Sequence, residues 1–255
     1  MDLDIEAALR EGFDRTLERN ALVLIAGFVA IQLANTVVGQ SATQRLLDVV
    51  DYRELLVGAD PEVVAQIEST IRTATRFAWF DVSLGVLGLL FVVLFLVQLV
   101  VRVGAIRTFV GEERSRLPTE YFTRQLGRVL LNLVVGAIVY GVVVVAGLVL
   151  FVLPGVFLAV SLFYYNYAIV VEDENVVEAF SSSWELTAGH RLRLFLLGLV
   201  VAVISSIAGT VAGFVGLLGP TVDVLVRSVV GAAVTVFGVA VAAQAYRQLT
   251  ADPGL

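Results

Sequence analysis

Two stretches of this chain are too long and too apolar for a water-soluble fold. Residues 82–97 and 129–171 contain no charged side chain. The hydrocarbon core of a bilayer is about 30 Å thick, and a helix needs about 20 apolar residues to cross it. β-Barrel strands would alternate apolar and polar residues, whereas these stretches are apolar throughout. The chain is therefore predicted to be an all-α, polytopic membrane helical bundle.

Apolar stretches and turn residues divide the chain into six predicted transmembrane helices. Pro154-Gly155 and Gly219-Pro220 indicate tight turns, and a break in a membrane helix belongs at the membrane surface. Residues 21–251 form one predicted membrane domain, preceded by a cytoplasmic amphipathic helix in residues 1–20. Residues 39–76 form a predicted extracytoplasmic loop. The six spans are residues 21–38, 77–101, 129–153, 156–171, 194–218 and 222–245.

The distribution of arginine predicts which ends of the spans face the cytoplasm. The chain contains no lysine, so its 17 basic residues are all arginine. Twelve of them fall in residues 1–20, 102–128, 172–193 and the C-terminal tail. Basic residues favour the cytoplasmic side of a membrane. Both termini are therefore predicted to be cytoplasmic, in a multi-pass protein of the cell membrane.

The composition excludes several kinds of chemistry. Cysteine is absent, and one histidine, His190, cannot form a histidine-rich metal site alone. No cofactor or metal is predicted. Acidic residues outnumber arginines by 23 to 17, whereas nucleic-acid-binding proteins carry basic patches. An acidic chain without lysine and rich in valine, alanine and glycine is typical of a halophilic archaeon, although a GC-rich genome alone gives the same bias.

A polar segment, residues 172–190, separates two predicted spans, and we call it the island. Asn175 and Glu178 have the spacing of a capping box, and Gly189 suits the left-handed position that ends a helix. The island therefore predicts an interfacial helix within residues 172–193, on the cytoplasmic side. Apolar and basic groups on such a helix lie in the headgroup region. The residues predicted to contact a partner protein or lipid headgroups are Glu178, Ser182, Trp184, Glu185, His190, Arg191 and Arg193.

Amphipathic stretches precede three of the predicted spans. Apolar residues recur at every fourth position in residues 5–17 and again in residues 176–188, which gives a helix one apolar face. A shorter stretch occupies residues 118–128. Aligning Ala8 with Ala179 also brings Phe13 over Trp184 and Thr16 over Thr187. The pattern predicts three repeats of an interfacial helix and a hairpin; chance similarity between amphipathic helices is the alternative.

Several motifs in and around the island occur together in one order. They are Pro154-Gly155, an aromatic stretch that ends at Tyr167, the acidic turn 172–174, Glu178-Ala179, Ser183-Trp184-Glu185 and Gly189. With these motifs, residues 153–200 resemble the membrane domain attached to some bacterial glycerophosphodiester phosphodiesterases. They also resemble its stand-alone relatives, including uncharacterised haloarchaeal membrane proteins, whose opening is similar to residues 11–24 here.

The resemblance implies a membrane module and no reaction. The resemblance implies that catalysis in those phosphodiesterases takes place in a separate soluble barrel domain. The present chain has no room for such a barrel. The resemblance therefore carries no catalytic residue over to this chain.

Two features of the island have alternative interpretations. Three consecutive acids, residues 172–174, have the oxygen ligands that a divalent cation prefers, but consecutive acids on a turn usually face water. His190 lies at a helix end, where histidine can act as a pH switch or simply as an interfacial cap. In both cases we favour the alternative without a specific function: the acids face water, and the histidine is an interfacial cap.

Three ionisable residues, Asp81, Asp223 and Arg227, lie within or at the edge of predicted spans. Charges there are costly and often functional. Asp223 and Arg227 are four residues apart and can pair on one helix face. Asp81 is predicted to meet Arg227 across helices. The set forms either an outward polar vestibule or a satisfied structural pair, and the structural alternative is favoured.

The motifs of common enzymes are missing, so the chain is not predicted to be an enzyme. It has no Walker loop, no Gly-x-Ser-x-Gly elbow and no convincing Ser-His-acid set. The leading prediction is a scaffold, or a module that interacts with a partner protein or with the lipid bilayer. The alternative is a transporter or permease component. Glu6-Ala7-Ala8 and Gly12 resemble part of an importer coupling loop, but they precede the first span.

Overall fold

The described part of the chain is entirely helical. The computed structural model describes residues 3–50, 52 and 54–251. Residues 1–2 of the predicted N-terminal segment and residues 51 and 53 of the predicted loop lie outside this part. Within it there is no strand, and Glu54–Leu56 forms a 3₁₀ turn. The α-helices are α1 (Ile5–Thr16), α2 (Arg19–Val50), α3 (Pro61–Ala74), α4 (Leu84–Val110), α5 (Glu120–Thr123), α6 (Leu126–Leu150), α7 (Val152–Ser161), α8 (Tyr165–Val171), α9 (Val176–Leu186), α10 (Arg191–Gly216) and α11 (Pro220–Thr250).

Six stretches of helix in the described residues are long and apolar enough to cross a membrane. They are α2, α4, α6, α7 together with α8, α10 and α11. The prediction of an all-α bundle with six spans is therefore confirmed. α2 has 32 residues, which is about 48 Å of helix at 1.5 Å per residue, so it extends well beyond a hydrocarbon core of about 30 Å.

The spans form three hairpins, each preceded by a short helix. α2 packs on α4, α6 on α7, and α10 on α11. The short helices α1, α5 and α9 pack on α11, α4 and α8, respectively. The backbone N–H of Asp4 donates to the Gln248 side chain at 2.9 Å, so α1 and the last turn of α11 meet at the same end of the bundle. We call this end of the bundle the terminal end and the opposite end the remote end.

The first and third short helices share one register. Each begins at an N-cap whose side chain accepts from the backbone of the helix, Asp4 in α1 and Asn175 in α9. With these caps superposed, three pairs of residues that the sequence aligned have the same burial in both helices. The aligned pairs are Ala8 and Ala179, Phe13 and Trp184, and Thr16 and Thr187. The pairing predicted from the sequence therefore corresponds to equal burial in the two helices.

On the remote side, the helices of the first two spans have other limits than the predicted spans. The first was predicted to end at residue 38, but α2 continues through Gly39 to Val50, because a single glycine inside a helix costs only about 1 kcal/mol and no proline follows before Val50. The second was predicted over residues 77–101. α4 instead begins at Leu84, where the Ser83 hydroxyl accepts from the backbone of the first turn, and it ends at Val110.

The predicted turn at Pro154-Gly155 is also wrong. The break lies at Phe151, whose extended backbone separates α6 from α7. Pro154 is in the first turn of α7, where a helix tolerates a missing N–H donor. Gly155 lies against α6, since a Cβ atom there would come within 2.6 Å of the Leu148 backbone nitrogen. The turn predicted at Gly219-Pro220 is confirmed, because α11 begins at Pro220.

Burial differs between the two ends of the bundle. At the terminal end, residues 103–109 of α4 and 240–246 of α11 are all buried. In the rest of the spans, large apolar side chains such as Leu89, Phe95 and Ile207 are exposed, as expected for surfaces that face lipid. Most of the buried polar side chains also lie at the terminal end, among them Arg15, Thr16, Asn20, Arg107, Thr108, Ser183, Thr187 and Gln244.

Candidate functional site

Arg15 of α1 joins the N-terminal helix to the end of α4. Its guanidinium donates to the carbonyl oxygens of Thr108 at 2.8 Å and Gly111 at 3.0 Å. It also pairs with Glu18 at 2.7 Å. Burial lowers the pKa of Arg15 below its usual value, and the nearby Glu18 opposes this shift. The carbonyls at a helix C-terminus have no partner within the helix, so Arg15 satisfies them while it fixes α1.

Arg107 likewise joins α4 to the loop that follows it and to the end of α8. Its Nε donates to the Val170 carbonyl at 2.9 Å. One terminal nitrogen donates to the carbonyls of Tyr121 and Arg124 at 3.1 and 3.0 Å. The other contacts Asp173 at 3.4 Å. The side chain is only 6% exposed, so one buried cation holds three chain segments together.

The island forms the predicted helix, α9. Asn175 and Glu178 make both hydrogen bonds of the capping box. Gly189 has φ +81°, which is the left-handed conformation predicted for it. On the buried side, the hydroxyls of Ser183 and Thr187 donate to the Ser161 carbonyl at 3.1 and 3.0 Å. α9 is therefore fixed against the junction of α7 and α8.

Several of the predicted contact residues of the island hold the fold itself together. Ser182 donates to Glu174 at 2.8 Å, and Arg193 donates to the Leu3 carbonyl at 3.1 Å. The guanidinium of Arg191 lies over the Trp184 ring, 4.3 Å from its centroid. Glu178 completes the capping box described above.

Three of the predicted residues remain on the outer surface, and a fourth precedes α10. Glu178, Trp184 and Glu185 are exposed, together with Val177, which was not predicted. His190 is the N-cap residue of α10, and its Nδ1 lies 3.2 Å from the Ala188 carbonyl oxygen. Its side chain makes no capping hydrogen bond to α10, so the interfacial cap stays a prediction.

A small crevice opens between α8, α9 and α11, and we call it the terminal crevice. Its volume is about 180 Å³. The Tyr246 hydroxyl donates to Glu172 on one wall, and the Tyr164 hydroxyl donates to the Ala242 carbonyl at 3.2 Å deeper in. The lining residues are Tyr164, Ala168, Glu172, Ser182, Ser183, Glu185, Leu186, Tyr246 and Thr250. The crevice is therefore acidic at its mouth and aromatic at its base.

The three acids of residues 172–174 have separate partners. Glu172 accepts from Tyr246, Asp173 pairs with Arg124 at 2.7 Å, and Glu174 accepts from Ser182. In the described residues, no group of three side chains is arranged to hold a metal ion. Burial raises the pKa of Glu174, and the bond from Ser182 opposes that rise. The fold therefore holds this proton more tightly than the unfolded chain does, and acidification through that pKa favours the fold.

The predicted contact of Asp81 with Arg227 is wrong. Asp81 lies in the extended segment before α4 and pairs with Arg45 of α2 at 2.7 Å. Arg45 also donates to the Val82 carbonyl at 3.0 Å. Arg227 pairs with Asp223 at 2.5 Å, four residues away on α11, as predicted. The polar set therefore consists of two separate pairs, and the first depends on the unpredicted extension of α2.

A double-mutant cycle distinguishes the two pairings. Asp81→Ala combined with Arg227→Ala should change the free energy of unfolding by the sum of the single effects, within about 0.5 kcal/mol, because the residues do not touch. Asp81→Ala combined with Arg45→Ala should fall short of the sum, although by at most about 1 kcal/mol, since the pair is exposed. Thermal unfolding in detergent measures both cycles; a coupling found only for Asp81 and Arg227 contradicts the pairing described above.

A second cavity, which we call the remote groove, lies between α2, α4 and α11 toward the remote end. Its volume is about 600 Å³. The lining residues are Leu33, Ala34, Thr36, Val37, Val38, Phe77, Trp79, Phe80, Leu90, Val93, Leu94, Thr221, Val224 and Leu225. Sequence reasoning missed it, because the aromatic residues 77–80 were assigned to a span. They lie instead in a non-helical segment between α3 and α4.

Comparison with known proteins identifies a family but no activity. The family model of a domain of unknown function, DUF7847, matches residues 3–249. Among curated proteins and among solved structures, none matches the chain. The resemblance to the membrane domain of glycerophosphodiester phosphodiesterases therefore stays a prediction from the sequence.

Proposed function

The chain belongs to the DUF7847 family, and because that family has no known function, we propose from the geometry that it is a non-enzymatic membrane scaffold. Its terminal end faces the cytoplasm and holds a partner protein there. The observation that carries the proposal is the contrast between the two ends of the bundle. Buried polar side chains and tight packing concentrate at the terminal end, while the spans elsewhere expose apolar side chains.

A fixed surface supports a docking role, because a partner then binds without paying to order it. Segments far apart in the chain are tied together at the terminal end. Arg15 joins α1 to α4, Arg107 joins α4 to α8, and Arg193 reaches the carbonyl of Leu3. Ser183 and Thr187 in turn fix α9 at the junction of α7 and α8.

The partner that this surface fits presents a basic segment. Glu172, Glu178 and Glu185 are exposed at or beside α9, and Val177 and Trp184 add apolar area between them. A cationic side chain that entered the terminal crevice would meet Glu172 and Glu185 at its mouth and the tyrosine rings at its base. Carboxylates and aromatic faces are the two groups that stabilise a buried cation.

Charge reversal on α9 tests the proposal. A photo-cross-linking residue at Ser181, which is exposed on α9, should form an adduct with a membrane or cytoplasmic protein in native membranes. Glu185→Lys should reduce the yield of that adduct about tenfold, which corresponds to about 1.4 kcal/mol. Glu120→Lys, an exposed reversal on α5, is the matched control and should leave the yield unchanged.

Other outcomes count against the scaffold. An adduct formed equally by both reversal variants would mean that the acidic face does not recognise the partner. Adducts with lipid alone would place α9 in the headgroup layer without a partner. Substrate-dependent flux through proteoliposomes that contain only this chain would favour the alternative of a transporter or permease component.

A further inference from the structure

The remote groove has the size and position of a site for a membrane lipid. Its lining comes from three spans and from Phe77, Trp79 and Phe80 of the segment between α3 and α4. A cavity of about 600 Å³ lies within the range of about 300–1,000 Å³ that is usual for ligand sites. It is bounded by α2, α4 and α11, all of which are apolar enough to cross a membrane. The groove therefore opens where hydrocarbon surrounds the protein.

The wall of the groove offers an occupant dispersion contacts and almost no hydrogen bonds. Twelve of its 14 lining residues are apolar, and the hydroxyl of Thr36 already donates to the Gln32 carbonyl at 3.0 Å. The hydrophobic effect does not drive association inside a bilayer, so packing decides what fills such a space. An empty groove forfeits the contacts of every lining atom, and acyl chains are the molecules present there in excess.

The remote rim of the groove is polar and fixed. The Gln40 side chain accepts from the backbone N–H of Phe77 at 2.7 Å, and the Ser41 hydroxyl accepts from that of Phe80 at 3.1 Å. The ion pair of Arg45 with Asp81 follows directly after Phe80. Apolar walls that end at charged groups match an amphiphile, with its chain inside and its polar head at the rim.

A helix of a second copy fits this space poorly. An α-helix with its side chains is at least about 10 Å wide, so about 8 Å of its length, less than two turns, would fill 600 Å³. A single hydrocarbon chain is far narrower and can occupy the groove along its length. We propose that the remote groove holds one acyl chain of a membrane phospholipid, whose headgroup lies beside Arg45 and Asp81. The inference is independent of the proposed cytoplasmic partner.

Tryptophan fluorescence gives a direct test. The chain has two tryptophans: Trp79 lines the groove, and Trp184 lies on α9. In the Trp184→Phe variant, Trp79 is the source of all tryptophan fluorescence. The protein in detergent is titrated with a phospholipid that carries bromine on its acyl chains. Quenching of Trp79 should saturate near one lipid per protein.

Variants that fill the groove make the test specific. Ala34→Phe and, as a second variant at the mouth, Thr221→Phe should each weaken the saturable quenching at least fivefold. Ala202→Phe adds the same ring on an exposed face of α10 and should leave it unchanged. Native mass spectrometry of the unsubstituted chain should find one retained phospholipid.

Three results would overturn the proposal. The first is quenching that rises without saturation and equally in every variant, which indicates only bulk partition. The second is saturable quenching that neither filling variant weakens. The third is a dimer that Thr221→Phe dissociates, which would make a second copy the occupant.

Discussion

Replacing Arg107 with alanine should lower the melting temperature of the detergent-solubilised protein by about 10 °C. The change leaves three backbone carbonyls, those of Val170, Tyr121 and Arg124, without their donor. It also leaves Asp173 without one of its two arginine partners. Removing one member of a buried charged network costs about 3–5 kcal/mol. In a chain of this length, each kcal/mol shifts the melting temperature by about 2–4 °C.

Two further variants separate the network from a general effect of lost charge. Arg102→Ala removes an exposed arginine from the same helix and should shift the melting temperature by no more than about 2 °C, because surface changes usually cost under about 0.5 kcal/mol. Arg107→Lys keeps the charge but not the planar fork of donors, so it should recover only part of the loss. If the Arg107→Ala and Arg102→Ala variants have the same melting temperature, Arg107 does not hold the terminal end.

The features that the sequence predicted well depend on neighbouring residues. Six spans follow from stretches of apolar composition, and the cap formed by Asn175 and Glu178 follows from a spacing of three residues. The left-handed Gly189 follows from its place after a helix. Each of these is decided by residues that are close together in the chain, so long-range contacts do not override it. The similarity between α1 and α9 could also be read from the sequence, because both helices repeat their apolar residues at the same interval.

The features that it missed depend on residues far apart in the chain. In the sequence, Arg107 is one of several arginines near a predicted membrane surface. Only the fold brings Val170 and Asp173 to it. The extension of α2 to Val50 places Arg45 beside Asp81, so an error in one helix end also produced the wrong partner for Asp81. Hydropathy locates where a chain leaves the membrane, but it does not locate where a helix ends.

Replacing Gly12 with leucine should release α1 from α11. A Cβ atom at Gly12 would lie 2.5 Å from the Val241 side chain and 2.8–2.9 Å from its backbone. The side chain of Val241 can rotate, but the backbone of a long span cannot retreat, so the short helix must move. Overpacking of a close contact costs about 1–3 kcal/mol. We expect α1 to lift from the bundle while the six spans stay folded.

Chemical cross-linking reports this release without interference, because the natural chain has no cysteine. Cysteines at Asp4 and Gln248, whose backbone and side chain are hydrogen-bonded, should be joined efficiently by a short bis-maleimide. Gly12→Leu should reduce the yield at least fivefold. Gly127→Leu is the matched control, since in the described residues no other atom lies within 4 Å of a Cβ atom built there.

The result also bears on the arrangement of three hairpins, each preceded by a short helix. α1 packs on α11 and α9 packs on α8, so in both cases a short helix packs on a span of another hairpin. If Gly12→Leu and Gly127→Leu are cross-linked equally well, α1 does not depend on its close contact with Val241. The N-terminal segment would then be held by the hydrogen bonds of Arg15 and Arg193, and the shared burial of Ala8 and Ala179 would reflect amphipathic spacing and not a common mode of docking.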